Sequence, residues 1–250
     1  MGKDKLRRFR ENLTFDCFIQ PEFDTVFAGD HPLKGRWQAD HFHNDRPIVL
    51  ELGCGKGEYT VALARRDPSR NFIGVDIKGA RMWRGARTVT DEGLRNAAFL
   101  RTRIEFITSL FAEGEVAEIW ITFPDPQLKS RRAKKRLTGP LFLERYARIL
   151  APDGRIHLKT DSQHLFNYTQ AVIERFGLAC TAADNDIYGH GTAEGILTVT
   201  TAYEEEYLRR GLPITYTQFS LGGRSTFPPF DWEGDDTDEK DAEPERGPLH

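Results

Sequence analysis

One carboxylate in this chain is set beside a dense run of positive charge. Asp125 lies between Pro124 and Pro126 and is followed closely by a series of basic side chains. These basic residues are Lys129, Arg131, Arg132, Lys134, Lys135 and Arg136. Basic side chains neutralise phosphates, whereas a fixed carboxylate can hold or stabilise a reacting group. The segment therefore predicts chemistry performed on a polyanion.

The residues before Asp125 predict where that carboxylate lies in the fold. Residues 117–122 are short, apolar and β-prone, which is typical of a buried strand. Asp125 would then follow the carboxyl end of this strand, where open α/β sheets place their reactive groups. Each flanking proline fixes its own φ and restricts the residue before it, so the turn should be stiff. The alternative is a proline-containing turn beside a basic surface that contacts only solvent.

A second candidate site is the glycine-rich turn after the first predicted strand. Gly53, Gly55 and Gly57 alternate between Glu51 and a predicted helix. Glycine permits positive φ and the close approach of a ligand, and a helix N-terminus supplies free N–H donors. The turn therefore predicts a site for a small ligand, although such turns also occur as purely structural devices.

The spacing and charge of this turn indicate which ligand fits. A nicotinamide-binding fingerprint needs glycine at position 58, where this chain has Glu58. The negative charge of Glu51 and Glu58 disfavours a pyrophosphate and favours a cationic ligand such as S-adenosylmethionine (SAM), which carries a sulfonium. Asp76, at the end of the second predicted strand, can accept hydrogen bonds from both ribose hydroxyls.

The pattern from Ile48 onward predicts an α/β fold. Short apolar runs alternate with helical periodicity, which is typical of βαβ units and a mainly parallel sheet. The predicted strands are residues 48–52, 71–76, 97–100, 118–122, 155–160 and 214–221. The predicted helices are residues 58–66, 80–91, 141–150 and a last one from the N-cap Ser162 to Phe176. We expect the turn at Gly53 and the turn at Asp125 to lie at one edge of this sheet.

The composition predicts a single catalytic domain in a reducing compartment. The chain has 250 residues, 39% of them hydrophobic, and can bury one substantial core. Its three cysteines form no CxxC pair, which argues against a disulfide framework and a zinc site. His41 and His43 are interpreted as surface residues, so no metal is expected. Because no stretch approaches the ~18 apolar residues of a membrane span, we expect a cytoplasmic protein.

The charge is distributed unevenly along the chain. The formal net charge is −3, yet residues 231–250 contain nine acids and only two bases. Residues 1–230 therefore carry a net charge of +4, which is compatible with a nucleic-acid partner. With so little apolar content, residues 231–250 are predicted to form an acidic, disordered tail.

With these features in this order, residues 48–221 resemble the bacterial tRNA (guanine-N7-)-methyltransferases of the TrmB type. In that family an E-x-G-x-G-x-G turn opens the SAM site, and residues 51–57 match it. The family's F-I-G-(I/V)-E strand ends in a ribose-binding acid and is similar to residues 72–76, which end in Asp76. Its F-P-D-P motif carries the catalytic aspartate, which implies that role for Asp125.

Further motifs extend the resemblance to the substrate. The lysine four residues after the aspartate, a T-D segment and a T-x-(F/Y)-E motif occur in the family, and residues 129, 160–161 and 201–204 are similar to them. The substrate-binding residues implied in this way are Lys129, Asp161, Thr201, Tyr203 and Glu204. The residues expected on tRNA phosphates, here called the cationic run, are Arg131, Arg132, Lys134, Lys135 and Arg136.

The resemblance implies a fold and a reaction. The fold would be that of a Rossmann-like class I SAM-dependent methyltransferase, with a mainly parallel seven-stranded sheet, an antiparallel edge strand and helices on both faces. Residues 1–45 would be a family-specific extension, 46–230 the methyltransferase domain and 231–250 the tail. The reaction would be methyl transfer from SAM to N7 of a guanosine in tRNA, at position 46 of the variable loop. The enzyme is expected to be a monomer or homodimer.

Two positions depart from the family pattern. Gln127 stands where the family has tryptophan after F-P-D-P, so an aromatic surface near the catalytic turn is missing. Arg103 and Ile104 stand where members commonly carry an Asp-Ala pair that contacts adenine. Because Arg103 cannot accept a hydrogen bond, we expect the adenine to be held by backbone amides or packing.

Two alternatives stay open from the residues alone. A nicotinamide-dependent oxidoreductase would share the fold and the acid after the second strand, although Glu58 disfavours it. A catalytically inactive RNA-binding protein with the same fold is suggested by Gln127 and Arg103. Under the favoured reading, guanine N7 needs no general base because it carries a lone pair and no proton. Asp125 would instead hold the base and offset its developing positive charge.

Overall fold

The computed structural model describes residues 2–236, which form two compact units. The first unit comprises residues 2–120 with Arg148–Gly154, and the second comprises Ile121–Ala147 with residues 155–236. The division falls within two strands, so each of these strands contributes residues to both units.

Five strands build the sheet of the first unit. They are β1 (Phe18–Ile19), β2 (Ile48–Leu52), β3 (Asn71–Asp76), β4 (Ala97–Arg101) and β5 (Val116–Thr122), which continues into the second unit. Their order is β1-β4-β3-β2-β5, and the pairs β1-β4, β3-β4 and β2-β3 are parallel. Strands β2 to β4 are buried almost throughout, as expected for parallel strands covered on both faces.

Four α-helices belong to the described part of the first unit. They are α1 (Gly2–Asn12), α2 (Phe23–Ala28), α3 (Glu58–Arg66) and α4 (Gly79–Glu92). A π-helical turn (Trp37–Phe42) and a 3-10 helix (Ile104–Ser109) complete the set. Helix α4 ends because Gly93 adopts φ +63°, a left-handed conformation that glycine tolerates without strain.

The second unit combines antiparallel strands with three α-helices. Its elements are α5 (Pro140–Ala147), β6 (Leu150–Thr160), α6 (Gln163–Phe176), β7 (Ala179–Asp184), α7 (Ala202–Arg209) and β8 (Thr215–Ser220). Three 3-10 helices cover Ser130–Lys135, Gly195–Thr198 and Glu233–Asp236. The strand order is β5-β6-β8-β7, with β8 antiparallel to both β6 and β7. No helix among residues 2–236 is long and apolar enough to cross a membrane.

The predicted fold class is confirmed: the sheet is mainly parallel, has an antiparallel edge and is surrounded by helices. Elements β2, β3 and α3 have the predicted bounds. Helix α6 begins as predicted, because the Ser162 hydroxyl accepts a hydrogen bond from the Leu165 amide at 3.0 Å. It ends at Gly177, which is left-handed.

Two details of the predicted sheet are wrong. Residues 2–236 contain eight strands instead of seven, because the short β1 pairs with β4 at the sheet edge. The helix predicted to reach residue 150 ends at Ala147, and Leu150 opens β6. The reason is strand pairing: the amide of Val116 donates to the Ile149 carbonyl at 2.9 Å. Strand β7 has mostly small, exposed residues and carries no apolar pattern from which to predict it.

The predicted N-terminal extension is packed into the first unit in its described part, residues 2–45. The buried Asn12 amide donates to the Gly79 carbonyl at 2.9 Å. The Trp37 indole is fully buried and donates to the Leu110 carbonyl at 2.8 Å. These contacts make the N-terminal residues part of the core rather than an appendage.

The predicted start of the acidic tail, at residue 231, is too early in the sequence. Trp232 packs against Tyr168, with ring centroids 5.4 Å apart, and Asp235 is only 8% exposed. The tail is therefore ordered as far as Asp235. Its remainder, residues 237–250, lies outside the described residues.

Candidate functional site

The glycine turn after β2 has the backbone conformation that its sequence predicts. Gly53, Gly55 and Gly57 have φ values of +81°, +56° and +75°, a region that L-residues with side chains seldom occupy. The amides of Gly53 and Cys54 donate to the Val75 carbonyl at 2.8 and 3.2 Å. The turn is thus fixed against the end of β3, and all three glycines are required by its geometry.

Close packing beneath the turn also requires glycine. An added Cβ at Gly57 or at Gly85 of α4 would lie 2.4 Å from an atom of the Phe99 ring, and one at Gly74 of β3 would lie 3.0 Å away. Phe99 is fully buried, so its ring cannot move aside. Three glycines therefore form a socket for this ring.

The face of the turn at Gly53 is open. Among the described residues, no atom lies within 4 Å of a Cβ placed on Gly53, and only the Gly53 carbonyl lies that close to one placed on Gly55. A backbone that is open on one face and packed on the other lets a ligand approach closely. The open space and the nearby acidic residues suit SAM as the ligand.

The acids around the turn serve it in two ways. Asp76 accepts from the Gly55 amide at 3.0 Å and from the Lys78 amide at 2.8 Å. A carboxylate has about four acceptor positions, so ribose hydroxyls can still bind to Asp76. Glu51 is buried and accepts from both the amide and the hydroxyl of Thr60. These contacts stabilise the start of α3, and they do not make the Glu51 carboxylate accessible to a ligand.

The turn lies in a negative electrostatic environment. Burial raises the pKa of the Cys54 thiol well above its usual range, and the charges of Glu51 and Asp76 raise it further. Cys54 therefore stays protonated at neutral pH. The same negative field favours the cationic amino and sulfonium groups of SAM, as the sequence predicts.

Asp125 is exposed on a turn with an uncommon backbone. Phe123 and Gln127, on either side of it, have φ values of +48° and +53°, which non-glycine residues seldom adopt. The Phe123 amide donates to the Lys159 carbonyl at 2.8 Å. The Gln127 amide donates to the Asp125 carboxylate at 3.0 Å, which orients that side chain. One carboxylate on a fixed turn thus faces outward.

Most of the predicted phosphate-binding residues are exposed in the 3-10 helix that follows. The exposed members are Arg131, Arg132, Lys134 and Lys135, and the predicted substrate-binding residue Lys129, also exposed, directly precedes this helix. Arg136 is the exception, because its side chain has no exposed surface and both terminal nitrogens bind Asp235. The prediction that Arg136 contacts tRNA phosphates is wrong, since its charge is already neutralised inside the protein.

A buried ion pair supports the predicted substrate-binding residues. Lys159 and Glu204 are fully buried, with 2.6 Å between Nζ and Oε1. Lys159 also donates to the carbonyls of Leu197 and Val199 at 2.8 and 3.0 Å. Burial lowers the pKa of Lys159, and the charge of Glu204 opposes this effect. Lys159 was missed from the sequence, although a lysine in the middle of a predicted buried strand is itself a signal.

Glu204 therefore has a structural role. The Tyr188 hydroxyl donates to it at 2.7 Å, and burial together with Glu204 raises the pKa of Tyr188. Glu204 also closes a capping box with Thr201 at the start of α7. The Glu204 carboxylate is fully buried, so the prediction that it accepts hydrogen bonds from guanine is wrong.

Three other predicted substrate-binding residues, Asp161, Thr201 and Tyr203, lie near this pair. The Tyr203 hydroxyl donates to Asp161 at 2.9 Å, and the Tyr203 ring lies 5.7 Å from that of Phe123. Asp161, Thr201 and Tyr203 all keep some exposed surface. Asp161 is therefore positioned by a neighbour of the Asp125 turn. Among residues 2–236, no group of three or more His, Cys, Asp or Glu side chains is suited to hold a metal.

Comparisons with known proteins find similar sequences. Residues 45–217 match the family model described as "Putative methyltransferase". A tRNA (guanine-N(7)-)-methyltransferase from Christiangramia forsetii is 53% identical over 221 residues, covering 88% of this chain and 99% of the relative. One from Porphyromonas gingivalis is 59% identical over 192 residues, covering 76% and 78%.

The solved structures that resemble this chain show the same fold. The 16S rRNA methyltransferase KamB gives a TM-score of 0.54 at 16% identity, covering 73% of this chain and 88% of its own. A 16S rRNA (adenine(1408)-N(1))-methyltransferase from Catenulisporales acidiphilia, solved with its cosubstrate SAM, gives 0.51 at 12% identity, covering 78% and 91%.

The fold and the glycine turn define a class I SAM-dependent methyltransferase. Within that class, the chain belongs to the family of tRNA (guanine-N7-)-methyltransferases. The relatives favour neither the oxidoreductase nor the inactive RNA-binding protein as an alternative. Whether the turns at Gly53 and Asp125 share one sheet edge stays a prediction.

Replacing Gly57 by alanine should damage the cofactor site. The added Cβ meets the buried Phe99 ring at 2.4 Å, and overpacking of this kind costs about 1–3 kcal/mol. Gly93→Ala is the matched control, because Gly93 is also left-handed but has open space around its Cβ. Urea unfolding and SAM-binding calorimetry should show a larger loss for Gly57→Ala. Equal losses of stability would contradict the socket around Phe99.

Replacing Glu204 by glutamine should destabilise the second unit. Lys159 would be left buried without its counter-charge, which costs about 3–5 kcal/mol. The control Glu206→Gln removes an exposed acid paired with Arg209 and should cost under about 1 kcal/mol. Chemical denaturation measures both. The double variant Lys159→Met/Glu204→Leu should recover much of the loss, and a Glu204→Gln protein as stable as the control would refute the buried pair.

Proposed function

We propose that this protein transfers the methyl group of SAM to N7 of guanosine in tRNA, at position 46 of the variable loop. The observation that carries the proposal is the exposed Asp125 carboxylate, fixed on a rigid turn directly before a basic surface segment. The names of the relatives support the same reaction. As finer points of the proposal, the enzyme is cytoplasmic and acts as a monomer or homodimer.

The cofactor is held by residues of the first unit. The open backbone face at Gly53 and Gly55 admits the donor, and Asp76 accepts hydrogen bonds from its ribose hydroxyls. The negative field of Asp76 and Glu51 stabilises its cationic groups. When bound, SAM supplies an electrophilic methyl group on a sulfonium.

Positioning dominates the reaction because N7 of guanine has a lone pair and no proton to remove. Correct alignment of two reacting groups supplies on the order of 7–11 kcal/mol, more than any single hydrogen bond. Asp125 holds the base by accepting its hydrogen bonds and offsets the positive charge that forms as N7 is alkylated. Proton abstraction by Asp125 is not part of the mechanism.

Selection of guanine rests on acceptors in the second unit. Guanine presents hydrogens on N1 and N2, whereas adenine lacks the N1 hydrogen and the N2 amino group. In the proposed function, Asp161 and the Thr201 hydroxyl accept hydrogen bonds from these positions. The Tyr203 hydroxyl, which donates to Asp161, supports this role. Lys129 contacts the substrate nearby, and the four exposed members of the cationic run bind tRNA phosphates.

Asp125→Asn should reduce catalysis far more than binding. Asparagine keeps an oxygen that can accept from the Gln127 amide, so the turn is retained while the charge is removed. We expect kcat to fall about 10²–10³-fold, as for loss of one group that stabilises transition-state charge. Tritiated-methyl transfer gives kcat, and filter binding gives the Kd for tRNA. Equal losses in both would make Asp125 only a binding or structural residue.

Charge removal at Arg131 and Lys134 should flatten the salt dependence of tRNA binding. Each lost phosphate contact lowers the log–log slope by about 0.7–0.9. Arg209→Gln, which removes an exposed charge already paired with Glu206, serves as the control. Binding is measured by fluorescence anisotropy across a salt series. Unchanged slopes for Arg131→Gln and Lys134→Gln would mean that the basic surface contacts only solvent.

A further inference from the structure

Arg136 binds the backbone of the catalytic turn from inside the protein. Its Nε donates to the Pro126 carbonyl at 3.3 Å, and one terminal nitrogen donates to the Gln127 carbonyl at 3.1 Å. These are the two residues directly after Asp125. Both terminal nitrogens also bind the Asp235 carboxylate in a bidentate arrangement. One buried guanidinium thus links the catalytic turn to the C-terminal segment.

Two adjacent aromatic rings also contact this guanidinium. It lies 4.4 Å from the ring centroid of Tyr168 and 5.7 Å from that of Trp232. Burial raises the pKa of Tyr168 to about 12, which keeps its hydroxyl neutral beside the ion pair. A planar cation that contacts two rings and a bidentate carboxylate has little freedom to move. The Arg136 side chain is therefore a rigid support.

The C-terminal segment is held in place by contacts that repeat along helix α6. Phe227 packs on Phe176 with centroids 5.2 Å apart, and Phe230 stacks on Tyr168 at 6.1 Å. Trp232 then packs on His164 at 4.9 Å. The segment runs antiparallel to α6, and at its end Asp235 binds Arg136. Its acidic residue is thus a fixed internal partner of the cationic run.

The backbone that Arg136 binds is one that needs support. Gln127 has φ +53°, a strained conformation for a residue with a side chain, and such strain persists only when surrounding contacts impose it. The Gln127 amide orients the Asp125 carboxylate, while the Gln127 carbonyl is bound by Arg136. The position of Asp125 thus depends on Arg136 through a single residue.

We propose that Arg136, completed by Asp235 and the rings of Tyr168 and Trp232, is a positioning residue that sets the orientation of the Asp125 carboxylate. This rests on the proposed methyl transfer, in which Asp125 holds guanine. Asp235 and the ring of Trp232 then help to position Asp125, although neither contacts the substrate in the proposed function. A misplacement of about 1 Å can cost about 10²-fold in rate, so loss of this support should be visible in kcat.

The test compares Asp235→Asn with Glu233→Gln in the full-length protein. Glu233 is exposed in the same segment, so its substitution makes the same charge change without touching Arg136. For Asp235→Asn we expect kcat and kcat/KM for tRNA to fall together by tenfold or more, up to about 10²-fold, with KM unchanged, as for an interaction that acts in the transition state. Glu233→Gln should match the wild type. SAM affinity should be unchanged in both.

A second readout does not depend on activity. Hydrogen exchange of the peptide spanning residues 123–129 should be faster in Asp235→Asn than in Glu233→Gln, because the carbonyls of the turn lose their support. If Asp235→Asn fails to fold, Arg136→Met/Asp235→Leu removes both charges and leaves none unpaired. That double variant should fold, exchange rapidly in the turn and show the same loss of kcat.

The possible results separate the two proposals. If the wild-type protein transferred no methyl group to tRNA, the proposed function would be refuted. Hydrogen exchange at residues 123–129 would still test whether Arg136 holds the turn in place. A folded Asp235→Asn or Arg136→Met/Asp235→Leu protein with wild-type kcat and wild-type exchange at residues 123–129 would overturn the positioning role of Arg136.

Discussion

The second unit depends on how one buried cation, Lys159, is neutralised. Its ammonium group binds Glu204 and the carbonyls of Leu197 and Val199, while its backbone carbonyl accepts from the Phe123 amide at the start of the turn that carries Asp125. Glu204 in turn closes the cap of α7, which carries Tyr203 onto Asp161. A buried charge without its partner is costly. Loss of the Lys159–Glu204 pair should therefore also disrupt the cap of α7 and the contact between Tyr203 and Asp161.

Basic residues that are close in sequence have different roles here, depending on whether their side chains are exposed or buried. Arg131 and Lys134 are exposed, whereas Arg136 is buried in contact with two rings and a carboxylate. In the proposed function, the exposed charges bind tRNA phosphates, an interaction that salt screens. Arg136, which is buried, instead holds the backbone of the Asp125 turn in place. Salt does not screen these buried contacts. The first unit follows the same logic with apolar groups, since glycines packed on Phe99 fix a turn whose other face is open for the cofactor.

The parts of the fold that could be predicted from sequence are those in which local pattern and tertiary packing agree. Strands β2 and β3 are mostly apolar, and Ser162 and Gly177 delimit α6 by local chemistry. Strands β1 and β7 could not be predicted, because pairing partners far along the chain create them. The same holds for the site: exposure of Asp125 follows from its turn, but burial of Arg136 and Glu204 depends on Asp235 and Lys159, which composition alone assigns to a tail and a strand.

The central claim is that this chain methylates N7 of a tRNA guanosine. It is tested most directly by nucleoside mass spectrometry after incubation with SAM and two unmodified tRNA transcripts, one with guanosine at position 46 and one with adenosine there. The account predicts 7-methylguanosine from the first transcript only. An absence of 7-methylguanosine from both, with SAM bound and the protein folded, would contradict it.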